Sequence, residues 1–315
     1  MRCRECVKTS LAGGLAPAVR EPRAPARDVA RRRGRRGSAI ALLGLGVALV
    51  ALGGSAALAA PATTTVTASG GGTSATLSYR ENRSSAQGPL YSKLHLTITR
   101  AGHTAFDATV STPFCGTSCW PDVWPGHRFL TVADLGAGGS PDVILDLYSG
   151  GAHCCSILQV YRFEADRGTY SILQRDFGDP GASLVELGGS RVFLSADDRF
   201  AYAFTSFAFS GLPVAIWQLR PQGFADVTRR FPARIATDAA RQYGAYLANR
   251  SQGFGLGFIA AWAADEDLLG HATLVARTLS AAKGDGYLRS ADGLASAGAF
   301  IASLQRDLAK WGYAG

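Results

Sequence analysis

Four cysteines, Cys115, Cys119, Cys154 and Cys155, are the first candidates for chemistry in the chain beyond its N-terminal segment. An even number of cysteines in an oxidising compartment favours disulfides, and four cysteines permit three pairings. Neighbouring cysteines close only a strained eight-membered ring. We therefore expect two bridges from the loop of Cys115 and Cys119 to the strand of Cys154 and Cys155, with pairing of the neighbours as an alternative.

Metal binding is the main alternative use of these thiols. His153, Cys154 and Cys155, with His127 or Cys119, would offer the nitrogen and sulfur ligands that suit zinc or copper(I). The spacing contains no C-x-x-C pair, and an oxidising compartment favours disulfides over a metal site. A redox C-x₃-C motif at residues 115–119 is a further alternative, although the βαβ context of such motifs is missing.

A second candidate site is the loop Asp134-Leu135-Gly136-Ala137-Gly138-Gly139-Ser140-Pro141-Asp142. It resembles the calcium-loop hairpin of FG-GAP/VCBS repeats, the blades of integrin-like β-propellers. Asp134 and Asp142 match the first and ninth positions of that loop, Gly139 matches its turn glycine, and Ser140 would offer its backbone carbonyl. Gly136 and Gly138 stand where the family has oxygen-bearing side chains.

The resemblance implies a propeller-type hairpin and, through Asp134, Ser140 and Asp142, a weak calcium site. Calcium prefers several oxygen ligands, and this loop keeps only part of the set. The alternative is a glycine-rich turn in which Asp134 and Asp142 cap backbone amides. No other cofactor is expected.

Two further segments, residues 149–155 (SGGAHCC) and 224–232 (FADVTRRFP), resemble segments of secreted bacterial proteins of unknown activity. This resemblance indicates one continuous architecture and brings no catalytic assignment.

No catalytic residue is nominated. The chain contains no G-x-S-x-G, H-E-x-x-H or P-loop pattern. The carboxylates of Asp197-Asp198 and Asp265-Glu266-Asp267 are expected in a solvated turn and on an exposed helix face. Trp120 and Trp124 form an aromatic loop that either lines a binding site or packs under the disulfide-tied loop.

The positive charge of the chain is confined to its beginning. Residues 1–37 hold eleven basic and three acidic residues, and the remaining chain holds 21 of each, so the net charge of +8 belongs to this segment alone. A nucleic-acid partner requires a cationic surface on the folded domain, and none is expected here.

The same segment predicts export. Basic residues 31–36 precede a run of fourteen apolar residues at 39–52, and Ala57-Leu58-Ala59 follows as a cleavage site. We predict a signal peptide within residues 1–59 and a secreted or cell-envelope protein that meets the membrane only through this segment. A single uncleaved N-terminal anchor is the alternative, because a span needs roughly 20 apolar residues.

The elements that position these residues predict an α+β fold. Residues 60–74 are expected to be a flexible lead-in. Residues 75–232 form a β-rich domain with short connections, which favours an antiparallel meander with propeller-blade-like hairpins. Its predicted strands lie at residues 75–80, 93–100, 106–110, 128–134, 142–148, 156–164, 170–176, 191–194, 202–206, 215–220 and 223–227.

Residues 233–315 are predicted as a C-terminal helical segment packed on the β domain. Helical periodicity occurs at residues 238–247, 258–279 and 294–310, with Thr237 as the first N-cap and Gly312 as the last C-cap.

These features predict a secreted or envelope-associated, non-enzymatic binding or structural module whose ligand is an unknown extracellular protein or glycan. The alternative is a secreted hydrolase that uses carboxylates or a metal near Asp134, Asp142 and His153.

Overall fold

The first sheet is a four-stranded antiparallel meander at the start of the folded chain. The computed structural model describes residues 62–82, 90–136, 139–291 and 296–313, so the predicted signal segment lies outside the described residues. The strands, paired in chain order, are β1 (Ala62–Gly70), β2 (Thr73–Asn82), β3 (Leu90–Arg100) and β4 (His103–Thr109).

Strand β1 differs from the expected flexible lead-in at residues 60–74. Its nine residues pair with β2 from Ala62 opposite Glu81 to Gly70 opposite Thr73. Threonine is enriched in strands because its branched side chain fits a pleated surface. The Thr-rich composition that suggested a loose segment therefore supports an edge strand once β2 is beside it.

The second sheet has five antiparallel strands. Its strands are β5 (Trp120–Pro121), β6 (Leu130–Ala133), β7 (Asp142–Tyr148), β8 (Ser156–Glu164) and β9 (Thr169–Asp176). β7 pairs with β8 on one edge and with both β5 and β6 on the other. Both β7 and β8 are buried on their two faces, which explains their near-continuous apolar sequence.

The third sheet comprises β10 (Ser183–Leu187), β11 (Ser190–Ala196), β12 (Val214–Arg220) and β13 (Gly223–Asp226), again in chain order. β10 was not predicted. The strand predicted at residues 202–206 is wrong, because this segment lies in the long β11–β12 loop between the short 3-10 turns Asp198–Phe200 and Phe207–Phe209.

The C-terminal segment forms the helices α1 (Pro232–Asn249), α2 (Leu256–Leu268), α3 (Ala272–Gly284) and α4 (Ala297–Trp311). α1 begins at Pro232, and Thr237 lies inside it with its hydroxyl bonded to the Ala233 carbonyl, so the predicted N-cap is wrong. Gly270 separates α2 from α3, and Gly312 ends α4 in the left-handed conformation as predicted. No helix within the described ranges combines the length and apolar character needed to span a bilayer.

The three sheets and the helices stack in layers, because successive side chains of a strand point to opposite faces of its sheet. Val143 and Leu145 of β7 pack on the first sheet with Leu77 and Leu96, whereas Ile144 packs on the third sheet with Phe193. The other face of the third sheet packs on α1 through Ile216 and Ile235, and a further apolar cluster joins the helices. The antiparallel α+β fold with C-terminal helices is confirmed, while the likeness to a propeller blade stays a prediction.

Candidate functional site

The glycine-rich loop before β7 holds its two carboxylates in protein contacts. Asp134 accepts a hydrogen bond of 2.8 Å from the Gly136 amide. Asp142 is 1% exposed and receives two bonds from the Arg162 guanidinium, at 2.9 and 3.2 Å. Burial raises the pKa of Asp142, and Arg162 and a backbone hydrogen bond from Leu135 oppose that rise.

These contacts match the alternative of amide-capping carboxylates. An open cleft of about 640 Å³ lies beside the loop, where the Arg191 guanidinium donates to the Asp134 carbonyl. Ser140 is half-buried between the two aspartates. Asp142 is paired with Arg162, and Arg191 lies beside Asp134. The oxygen atoms of the described loop residues are therefore not arranged to coordinate a calcium ion. Calcium binding stays a prediction from the resemblance alone.

The structure separates His153 from this loop. Asp142 begins β7 and Tyr148 ends it, a rise of roughly 20 Å, and His153 follows beyond that far end. The convergence of Asp134, Asp142 and His153 expected for a hydrolase is therefore wrong. Within the described ranges, no group of three or more His, Cys, Asp or Glu side chains is arranged to hold a metal ion.

The four cysteines form two local disulfides, Cys115–Cys119 and Cys154–Cys155, in place of the expected cross-loop bridges. The physical reason lies in the first loop. Thr112 and Gly116 exchange backbone hydrogen bonds of 3.1 and 2.7 Å, and the tight turn brings the Cα atoms of Cys115 and Cys119 to 5.6 Å, an ordinary disulfide separation.

The Cys154–Cys155 disulfide lies in the connection that follows β7. Ser149 closes this loop, because its amide donates to the Cys155 carbonyl at 3.0 Å and its hydroxyl accepts from the Cys155 amide at 2.8 Å. The Tyr148 hydroxyl donates to the Gly151 carbonyl. The Trp120 ring lies against Gly150. The loop is therefore held in place beside two aromatic rings.

On one side of this loop, a histidine lies between two carboxylates. His127 Nε2 is 3.0 Å from Asp146 Oδ2 and 3.9 Å from Asp122 Oδ2. Contact with the Asp146 carboxylate raises the pKa of His127, whereas burial raises the pKa of Asp146 itself. Asp122 also accepts from the Trp124 indole N–H, which fixes an indole that is 60% exposed.

On the other side, an exposed histidine lies between a carboxylate and aromatic rings. His153 Nδ1 is 3.9 Å from Asp179 Oδ1, and its ring centre is 3.8 Å from that of Phe207 and 6.1 Å from that of Tyr202. Tyr202 is 58% exposed and has a positive φ of 61°. The Asp179 amide donates to Asp198 at 3.3 Å, and burial raises the pKa of Asp198.

Tyr148 joins the two sides. Its ring centre is 6.4 Å from that of Trp124, and the carboxylates of Asp179 and Asp122 add to the burial that raises the pKa of Tyr148. We refer to these groups together as the aromatic–acidic face, defined by the rings of Trp124, Tyr148, His153 and Tyr202 and the carboxylates of Asp122 and Asp179.

Sequence reasoning identified only part of this face. It singled out Trp124 as a possible binding residue and His153 as a possible ligand, but it placed Tyr202 on a strand and gave Asp122, Asp146 and Asp179 no role. The alternation of side chains along β7 does not predict the pairing of Asp146 with His127, because that pairing depends on the path of the β5–β6 loop.

The expectation that Asp265-Glu266-Asp267 is exposed is wrong for Asp265. This side chain is 0% exposed, on the α2 face that packs toward Asp238 of α1. It belongs to the interior of the helical segment and takes no part in the aromatic–acidic face.

One known protein shares a partial similarity with the chain. A probable thylakoid lumen protein of Synechocystis sp. is 34% identical over 94 residues, a match that covers 28% of this chain and 27% of the relative's own length. The chain thus aligns with only a part of that protein. No protein-family model and no solved structure matches.

Proposed function

We propose that the protein is an extracytoplasmic, non-enzymatic binding module of a bacterial envelope, and that the aromatic–acidic face is its binding surface. The observation that carries the proposal is the exposure of Trp124 and Tyr202 on either side of the Cys154–Cys155 loop. Large exposed aromatic rings lose apolar hydration when a ligand covers them, and such patches mark binding sites.

Three observations support an extracytoplasmic location. Residues 1–59 have the pattern of a signal segment, two disulfides suit an oxidising compartment, and the Synechocystis relative is named for the thylakoid lumen, a compartment across a membrane from the cytoplasm.

The placement of the carboxylates supports the non-enzymatic assignment. The hydrolase alternative required Asp134, Asp142 and His153 at one centre, and β7 keeps the two aspartates away from the histidine. Asp142 is moreover neutralised by Arg162, so it is unavailable as a general base.

The location is tested by the intact mass of the protein recovered from the producing bacterium, with and without a thiol-alkylating reagent. We expect a chain that begins near residue 60, is found outside the cytoplasm and gains no alkyl group. A cytoplasmic full-length chain that alkylates at Cys115, Cys119, Cys154 and Cys155 would overturn the proposed location.

The binding surface is tested by co-sedimentation of the secreted protein with envelope fragments of the same bacterium. Wild type is expected to sediment, and the double variant Trp124→Ala/Tyr202→Ala is expected to stay in solution. Leu247→Ala is the matched control, because Leu247 is a large apolar residue, 43% exposed, on α1. Equal sedimentation of all three proteins, or of none, contradicts the proposed surface.

A further inference from the structure

We infer that the ligand of the aromatic–acidic face is a neutral glycan, whose sugar rings stack on Trp124 and Tyr202 and whose hydroxyls donate to Asp122 and Asp179. The inference rests on the proposed function and specifies its ligand class.

The first argument is the alternation of ring and acceptor across the face. From one side to the other it presents Trp124 with Asp122, then Tyr148, then Asp179 with His153, then Tyr202. A pyranose has an apolar C–H face and a rim of hydroxyl donors. Aromatic rings match the first, and carboxylates, which only accept hydrogen bonds, match the second.

The second argument concerns the rival occupant, a protein. The centre of a protein–protein interface is apolar and depleted in charged residues. Here Asp122 and His127 form a polar cluster beside Trp124, and Asp179 lies 3.9 Å from His153 on the other side of the face. A protein partner would have to desolvate these carboxylates without a matching apolar core.

The third argument excludes anionic polymers. The Asp122 carboxylate lies 3.9 Å from His127, the Asp179 carboxylate lies 3.9 Å from His153, and the Asp179 amide donates to the Asp198 carboxylate at 3.3 Å. Phosphate or uronate groups would meet like charges, which are unfavourable at contact distance.

The fourth argument is the fixed geometry of the face. The Trp124 indole is held by Asp122, the Tyr148 hydroxyl is held by Gly151, and the His153 ring lies against Phe207. A rigid site loses little side-chain entropy on binding, so weak stacking and hydrogen bonding suffice for a measurable affinity.

The deciding experiment repeats the envelope co-sedimentation with chemically altered envelopes. One portion is oxidised with sodium periodate and reduced with borohydride, which destroys vicinal diols of sugars. A second portion is treated with proteinase K, and a third receives borohydride alone. We expect the secreted wild-type protein to bind the proteinase-treated and borohydride-treated portions. Its binding to the periodate-treated portion should be at least about tenfold weaker.

Binding that survives periodate but is lost after proteinase K would overturn the glycan and leave the proposed binding function standing. Loss of envelope binding to every portion, untreated envelopes included, would instead remove the proposed function. The two failures are therefore distinguishable.

Direct probes are a neutral glucan, a mannan and a galactan in affinity electrophoresis, with a polyuronate as the anionic comparison. We expect at least one neutral polymer, and not the polyuronate, to retard the protein. Trp124→Ala should weaken that retardation at least about fivefold, Trp124→Phe should restore part of it, and Leu247→Ala should leave it unchanged. Equal retardation of Trp124→Ala and wild type would contradict the assignment of Trp124.

Discussion

At the residue scale, the buried carboxyl of Asp265 provides the sharpest test of the interior. Burial is the main cause that raises the pKa of Asp265 to about 9, together with the neighbouring Asp238 carboxylate, while the Val214 amide and Arg241 oppose the rise. Asp238 is also buried and is paired with Arg241 at 2.7 Å. At neutral pH the Asp265 carboxyl is therefore protonated and carries no charge.

The raised pKa fixes the direction of the pH dependence. The folded state holds a proton that the unfolded chain releases near pH 4, so the stabilisation is complete below that pH and is lost progressively as pH rises to about 9. The largest slope is about 1.4 kcal/mol per pH unit. Asp265→Asn keeps the shape of the side chain and carries no charge at any pH.

We expect Asp265→Asn to be more stable than wild type at pH 8, with the advantage shrinking toward pH 4. Urea unfolding at four pH values between 4.5 and 8.5 measures the difference. Asp166→Asn, an exposed position in the β8–β9 turn, is the charge-matched control. Parallel pH profiles for Asp265→Asn and wild type would show that Asp265 is not protonated in the fold.

The sequence predicted residue roles best where they depend on local spacing. Asp134 caps the nearby Gly136 amide, as one sequence interpretation proposed, because the acceptor and donor are two residues apart. Asp265 could not be placed, because its burial depends on how α1 and α2 pack together. Asp146 has the same difficulty, since its partner His127 belongs to a loop nineteen positions earlier in the chain.

At the element scale, the β9–β10 connection depends on the contact between Gly178 and Asp198. Gly178 has a φ of +68°, and a Cβ built there lies 2.3 Å from the Asp198 carboxyl carbon. The same connection carries Asp179, whose amide binds Asp198 and whose carboxylate belongs to the aromatic–acidic face. A side chain at Gly178 would therefore displace Asp198 and move Asp179 with it.

We expect Gly178→Ala to destabilise the protein by about 2–4 kcal/mol, from the left-handed backbone and the clash together. Gly189→Ala is the matched control, because Gly189 has a φ of +72° with no atom within 4 Å of the added Cβ. Gly189→Ala should lower the free energy of unfolding by about 1 kcal/mol, which is the cost of the left-handed backbone alone. Thermal or urea unfolding compares the two, and equal losses would mean that the Asp198 contact does not constrain Gly178.

Elements were predictable from the sequence where their periodicity matched their burial. The α4 stripe of Phe300, Leu304 and Leu308 is buried as the helical spacing indicated, and β3 alternates as predicted. β1 was missed because its threonines give little apolar alternation, and residues 202–206 were misread because their aromatic content is typical of strands. Both cases depend on neighbours that the local pattern does not contain: β2 for the first segment, and the helices for the second.

At the scale of the whole molecule, the helical segment supports one side of the aromatic–acidic face. Tyr202 and Phe207 belong to the β11–β12 loop, and that loop is fastened to the helices at several points. The Tyr313 hydroxyl donates to Asp197 at 2.7 Å, Arg199 reaches the Trp311 carbonyl, and Phe209 stacks on Phe254 with ring centres 4.1 Å apart. The sheets hold Trp124 and Tyr148, so the complete face requires both parts of the fold.

Because the helical segment supports the β11–β12 loop, we expect Tyr313→Phe to change the local stability of that loop. The substitution removes a hydrogen bond to a carboxylate inside the protein, which contributes about 1.5–3 kcal/mol. Because the bond ties the chain end to the β11–β12 loop, local opening should become more frequent there. In hydrogen–deuterium exchange, we expect faster exchange of backbone amides in residues 198–209 and unchanged exchange in β2 and β3, which lie two layers away.

Tyr287→Phe, which removes a hydroxyl from a helical-segment tyrosine whose ring contacts Arg250, is the control. If residues 198–209 exchange equally in wild type, Tyr313→Phe and Tyr287→Phe, the Tyr313–Asp197 bond does not restrain that side of the face. Faster exchange that extends to β2 and β3 would instead indicate global loosening, and the sheets and the helical segment would then not behave as separable supports of the aromatic–acidic face.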